Sequence, residues 1–153
     1  MKKSDITILS YLRANGRMPL TELSKKTGLP VSTLHERIKK HIKNGLIRPS
    51  ALVSFTQLGQ TARAHVFLAV EQQDRAKLFS HLDYHPNINS LFRINNGWNL
   101  LAECVFCDMH SLEDFIDKLE HQFKITKKEI HYTLDELKRE AFLRDSTPIT
   151  VGE

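Results

Sequence analysis

Two cysteines in 153 residues, Cys104 and Cys107, are too few for a disulfide framework. They form one C-x-x-C inside WNLLAECVFC, a run that alternates as a strand does. Residues three apart on a strand point to opposite faces, so these two cannot close on one metal or on each other. With no second Cys pair, no metal site is expected. No apolar run reaches membrane-spanning length, and MKKSDITILSYLRANG carries no cleavage site after its few apolar residues. A cytoplasmic protein with no membrane partner is the expectation. There is no internal repeat, low-complexity segment, nucleophile motif, phosphate loop or pair of catalytic carboxylates, so no catalytic residue and no cofactor is assigned. His81 and His85 stand i, i+4, a spacing that suits zinc, but Leu82, Asp83 and Tyr84 between them supply no H-E-x-x-H glutamate. Surface histidines are expected there.

What the chain does have is charge of one sign at one end. Residues 1 to 60 hold 11 Lys and Arg against 3 acids, and residues 61 to 153 hold 11 against 15. A basic part followed by an acidic one suits a nucleic-acid reader joined to something that should not bind nucleic acid, with a boundary near residue 60. The length allows one well-cored domain or two small ones.

The most informative stretch is LTELSKKTGLPVSTLHERIKKHIKNG, Leu20 to Gly45. Leu20 and Leu23 sit three apart, and Leu34, Ile38 and Ile42 four apart, so two helical faces flank Thr27-Gly28-Leu29-Pro30. Gly28 can close the first helix in the left-handed conformation, and Pro30 can set the entry to the second, with Ser32 or Thr33 as its cap. Ser32, Thr33, His35, Glu36, Arg37, Lys39, Lys40 and Lys43 face away from the apolar stripe. Hydroxyls and an imidazole near the N-terminus, with cations after them, are the order a DNA recognition helix needs: early residues meet base edges, later ones phosphates. Arg37 is open to two roles, reaching DNA or tying the helix to Glu22 or Glu36.

Before this stretch, Ser4-Asp5 can cap a helix with Ile8, Leu9 and Leu12 on one face, ended by Asn15-Gly16. After it, LIRPSALVSFTQLG suggests extended structure, and Gly59-Gln60-Thr61 a hinge. A winged or wing-like helix-turn-helix over 1–58 is expected. From Ala62 the reading is a strand, AHVFLAVE, and a helix from Asp74 to Tyr84 with Leu78, Phe79 and Leu82 inward. Two strands follow, Ile88 to Asn95 and Trp98 to Phe106, around Asn96-Gly97, a strong hairpin dipeptide. A helix comes next, with Ser111 and Asp114 as a capping box and an apolar stripe of Leu112, Phe115, Ile116, Leu119 and Phe123. The last strand is Ile125 to Leu134, with Ile130, Tyr132 and Leu134 alternating. This α+β chain therefore places a ferredoxin-like βαββαβ domain at 62–142. DELKREAFL reads as a short terminal helix and 143–153 as a tail.

These residues resemble the Lrp/AsnC, or feast/famine, family of transcription regulators. The resemblance rests on D-x-x-IL-x-x-L-x-x-NGR (Asp5 to Arg17), ELSKKTGL (Glu22 to Leu29), ER-I-K-K (Glu36 to Lys40), NGLI (Asn44 to Ile47) and, in the second half, H-P-x-I (His85 to Ile88) with the element order. It implies a sequence-specific regulator of double-stranded DNA that acts as a homodimer or a multiple of dimers, without enzymatic activity. It also implies a small-molecule effector near Gly97, Trp98 and Asn99. The family's hairpin usually carries an acidic residue and an Asp, where this chain has Asn96-Gly97-Trp98-Asn99. Its frequent Pro-Gly before the last strand is replaced by Phe123-Lys124-Ile125. An amide in place of the Asp removes the charge that would pair with an α-ammonium group, which argues against an amino-acid effector. The alternative is a sirohaem-decarboxylase-like subunit, which resembles the same two-domain plan, with His65 or His131 against a tetrapyrrole.

Overall fold

The computed structural model describes residues 2–144, so the tail from residue 145 onward lies outside the described residues. The chain divides into two compact units, one made of the described residues up to Leu52 together with those from Leu137, the other Val53–Glu136. No helix among the described residues is long and apolar enough to cross a membrane.

The first unit is three helices: α1 (Lys3–Ala14), α2 (Leu20–Thr27) and α3 (Val31–Lys43). Ile8, Leu23 and Leu34, one from each helix, are fully buried together, flanked by Tyr11, Leu12, Met18, Leu20, Leu29 and Ile38. Gly28 ends α2 at φ +71°, its N–H donating to the Ser24 carbonyl. A Cβ there would meet nothing within 4 Å, so it is the left-handed backbone that calls for glycine. Pro30 precedes α3, and neither Ser32 nor Thr33 caps it, because both already lie inside the helix. Ser4 and Asp5 likewise lie inside α1, which starts two residues earlier than a Ser-Asp cap allows. Ile42 is 43% exposed, so the inner face of α3 ends at Ile38. Residues 46–54 have no regular secondary structure, so the wing region forms no strand. The expected terminal helix over DELKREAFL is absent too: 135–143 is irregular, with Glu140 and Leu143 at positive φ. Arg13 holds this segment through an ion pair with Glu140 and a hydrogen bond from Nε to the Phe142 carbonyl, 3.2 Å.

The second unit is a four-stranded antiparallel sheet in the order β2-β3-β1-β4, built from β1 (Ala62–Val70), β2 (Ile88–Arg93), β3 (Leu100–Phe106) and β4 (Ile125–Tyr132). With α4 (Arg75–Asp83) and α5 (Met109–Gln122) this is the expected βαββαβ order. Alternate residues of β1, from Ala62 to Val70, join Leu78 and Leu82 of α4 and the Leu112, Phe115, Ile116 and Leu119 stripe of α5 in one core. Phe79, expected inward, is 47% exposed, since it sits about 100° around α4 from Leu78. The cap of α5 is Asp108, whose Oδ1 accepts from the Ser111 N–H at 2.7 Å, so Ser111 is capped rather than capping. β4 stops at Tyr132, and Leu134 is 91% exposed.

Candidate nucleic-acid interface and sheet hairpin

On α3 the sequence-marked residues separate by environment. Ser32, His35, Glu36, Lys39, Lys40 and Lys43 are exposed, Thr33 is half-buried, and Leu34 opposite them is fully buried. His35 Nδ1 lies 3.5 Å from Glu36 Oε1, and no carboxylate pairs with Lys39, Lys40 or Lys43 among the described residues. Arg37 behaves differently. Its Nη1 donates to Ser4 Oγ at 2.8 Å and to Asp5 Oδ1 at 3.2 Å, so it is tied to α1 and not to Glu22 or Glu36. His41 joins the same carboxylate, with Nε2 3.4 Å from Asp5 Oδ1. Ser4, Asp5 and His41 were not marked as functional from sequence, where the first two read as a local cap.

In the sheet unit, Asn96 and Gly97 occupy the tip of the β2–β3 hairpin, both at positive φ, +60° and +86°. That is the backbone of the tight turn the dipeptide predicts. Asn99 turns inward: its Oδ1 accepts from the Val70 N–H at 2.8 Å, and its own N–H donates to the Leu68 carbonyl at 2.9 Å. The amide thus fastens the hairpin to β1. Trp98 is half-buried against Phe67, with ring centroids 5.7 Å apart, while Lys127 Nζ stands 4.0 Å from its ring centre. Gly97 is exposed.

The sheet face away from the helices holds one buried acid. Glu103 accepts from Arg63 Nε at 2.7 Å and from Asn89 Nδ2 and Ser90 Oγ, each at 2.7 Å. A bulge between Ile88 and Ser90 makes this possible by letting two consecutive β2 residues reach one carboxylate. Burial pushes the Glu103 carboxyl up, but the hydrogen bonds from Asn89, Ser90 and Arg63, together with the Arg63 charge, outweigh it and hold the group below its ordinary range. Arg63 also pairs with Glu136. His65 and His131 are direct cross-strand neighbours on this face, His65 beside Thr133 Oγ1 at 3.3 Å and His131 beside Glu129 at 2.6 Å.

The α4 histidines are not free surface groups. Only His81 lies on the helix, and both rings are half-buried in an aromatic row, His81 on Phe123 at 5.4 Å and His85 on Phe115 at 4.5 Å. Burial, and then the neighbouring His81, lower the pKa of His85. Cys104 is buried within β3, whereas Cys107 is exposed just past the strand's end at Phe106. No group of three or more His, Cys, Asp or Glu is gathered as a metal site among the described residues.

Comparison with known proteins agrees with this two-part geometry. Residues 1–48 match the family model for winged helix-turn-helix DNA-binding, and residues 63–142 match that for the Lrp/AsnC ligand binding domain. The HTH-type transcriptional regulator FL11 of Pyrococcus abyssi is 32% identical over 114 residues, covering 74% of this chain and 76% of the relative. The uncharacterized HTH-type transcriptional regulator YezC of Bacillus subtilis is 31% identical over 118 residues, 76% of this chain and 84% of the relative. Among solved structures, the transcriptional regulator NMB0573/L-Met complex from Neisseria meningitidis superposes with a TM-score of 0.84 at 25% identity, covering 91% of this chain and 93% of that one. E. coli AsnC shares the fold, with a TM-score of 0.80 at 20% identity over 91% and 95% of the two chains. These matches do not favour a sirohaem-decarboxylase-like activity. Three-helix unit, sheet domain and relatives together lead to one assignment: the chain belongs to the Lrp/AsnC family of helix-turn-helix transcription regulators.

Proposed function

We propose that this regulator reads operator DNA with the outward face of α3. Ser32, Thr33 and His35 meet base edges in the major groove, Glu36 beside them offers an acceptor, and Lys39, Lys40 and Lys43 meet phosphates. The observation that carries the reading is the segregation on one helix. Three exposed cations without a carboxylate partner among the described residues stand on one side, and fully buried Leu34 on the other. The functional domains are 1–58 for DNA and 62–142 for ligand sensing and assembly, with 143–153 a tail. The protein acts in the cytoplasm as a non-enzymatic regulator.

One α3 spans only a few base pairs, so two copies on a two-fold axis bind a roughly palindromic site. Pairing comes from the second half. The helix-free sheet face supports this, since Phe67 and Leu101 are only half-buried there and Phe92 is 53% exposed. An effector, where one acts, binds near Gly97, Trp98 and Asn99. Asn99 has its acceptor committed to Val70 and the Lys127 ammonium stands over the Trp98 ring, which argues against an amino-acid ammonium as the recognised group.

The deciding test is binding of the full chain to fragments it selects from random DNA, measured over a salt series. Replacing Lys39, Lys40 and Lys43 by Ala should lower the salt slope by about one unit each. An unchanged slope sinks the phosphate assignment, and residues 1–58 that dimerise and bind as tightly as the whole chain sink the assembly assignment. Calorimetric titration with a panel of amino acids, methionine included, should show no binding. Micromolar binding that disappears in Trp98→Ala restores amino-acid sensing.

A further inference from the structure

We infer that Asp5 on α1 positions the recognition helix by holding Arg37 and His41 at once, so that Arg37 governs DNA reading without touching DNA. This rests on the reading of α3 as the DNA helix. The Asp5, Arg37 and His41 side chains are only 13%, 28% and 14% exposed. Arg37 Nη1 is committed to Ser4 Oγ at 2.8 Å and Asp5 Oδ1 at 3.2 Å. His41 Nε2 is buried without a hydrogen-bond partner, and Asp5 Oδ1, 3.4 Å away, is the charge beside it.

At about 100° per residue, Arg37 and His41 lie within roughly 60° of Leu34, on the inward side of the helix. Lys39 and Lys43 lie more than about 130° away from it. Arg37 is thus badly placed for a groove and well placed for α1.

Elementary mechanics explain why such a clamp matters. Leu34 and Ile38 are the only apolar α3 side chains in the core of this unit, and they lie nearly in line, so α3 can roll about them. Arg37 and His41 are one turn apart and off that line, and a single carboxylate touching both opposes roll and slide together. A roll of about 10° moves a side-chain atom about 5–6 Å from the axis by roughly 1 Å. That is enough to break a base contact that depends on hydrogen-bond geometry. Phosphate attraction, by contrast, tolerates it.

The test uses the full chain, duplexes selected by the wild type from a random pool, and unselected random duplex. Asp5→Asn and Arg37→Gln should each cut the ratio of selected to unselected affinity by about tenfold with the salt slope unchanged, and the double variant should lose no more than either alone. Lys40→Gln should do the reverse, lowering the slope by about one and sparing the ratio. The inference is overturned if Arg37→Gln lowers the slope by about one while Asp5→Asn leaves the ratio intact, or if the two losses add. Should Asp5→Asn fail to fold, Asp5→Glu decides: an intermediate ratio supports the clamp, and the wild-type ratio overturns it. If the wild type enriches no DNA, the DNA reading itself has failed, and amide exchange then judges the clamp. Exchange in Asp5→Asn that quickens across α3 but not α5 supports it, and equal change in both overturns it.

Discussion

The helical unit and the sheet unit are held together in different ways. Among the described residues the first has three fully buried apolar side chains, Ile8, Leu23 and Leu34, and a polar clamp at its edge. The second gathers sixteen buried residues between one sheet face and two helices. A core of three leaves few redundant contacts, so each deletion removes a large part of what orders the unit. The part that matches the DNA-binding family model is thus the part whose stability is most easily tuned, and the part that matches the ligand-binding family model is the firmer platform.

The sharpest way to break this contrast is Leu34→Ala. We expect a loss of about 2–5 kcal/mol, enough to melt the helical unit while the sheet unit stays folded. Trp98 is the single tryptophan and lies in the sheet unit, so its fluorescence reports that unit alone. Early loss of helical circular dichroism with an unmoved tryptophan transition is the expected result. Joint melting would abolish the distinction.

Next in size is Glu103→Gln. Its carboxylate is held by Arg63, Asn89 and Ser90, and losing the charge should cost the sheet unit about 1–3 kcal/mol at neutral pH, read by the tryptophan transition in urea. The folded carboxyl ionises below its unfolded value, so its contribution is complete above the ordinary carboxylate range and is lost as pH falls through the depressed value. The variant should therefore show a flatter acid limb than the wild type.

Asn99→Ala is smaller, about 1 kcal/mol, because it removes one staple from a hairpin whose turn is already well made. A red shift of Trp98 emission should accompany it, and an unchanged spectrum would mean that Trp98 is placed by Phe67 alone. The smallest effect is the titration of His85. Its folded pKa is lowered, so stability is full above the ordinary histidine value near 6.5 and declines as pH falls below it. His85→Gln should remove that decline from the tryptophan transition. A decline that persists would move its origin to another group.

Elements whose apolar residues repeat over several turns were legible without coordinates. The Leu112 to Phe123 stripe is an example, and Asn96-Gly97 marked the hairpin through its own backbone chemistry. Readings failed where a local rule had a competitor. Asp108 and Ser111 satisfy the same cap spacing as Ser111 and Asp114, and only the coordinates choose between them. DELKREAFL has helix-forming residues but leaves Leu137 94% exposed, so no apolar face rewards helix formation there. Of the candidate site, the exposed cations of α3 were readable because exposure follows from periodicity. The partners of Arg37, 32 and 33 residues away at Asp5 and Ser4, left no trace in local spacing. Glu103 looked like an ordinary strand acid for the same reason, since its partners come from two other strands.

The two cysteines carry one further consequence. Burial, and then the neighbouring Glu103 charge, push the Cys104 thiol up to about 12, so at neutral pH almost none of it is the thiolate that attacks an electrophile. Cys107, three residues on, is exposed between the end of β3 and the start of α5. A maleimide dye added to the unaltered chain should therefore attach at one defined point on the sheet unit. Donor-labelled and acceptor-labelled copies mixed in solution would then show by energy transfer whether two copies associate.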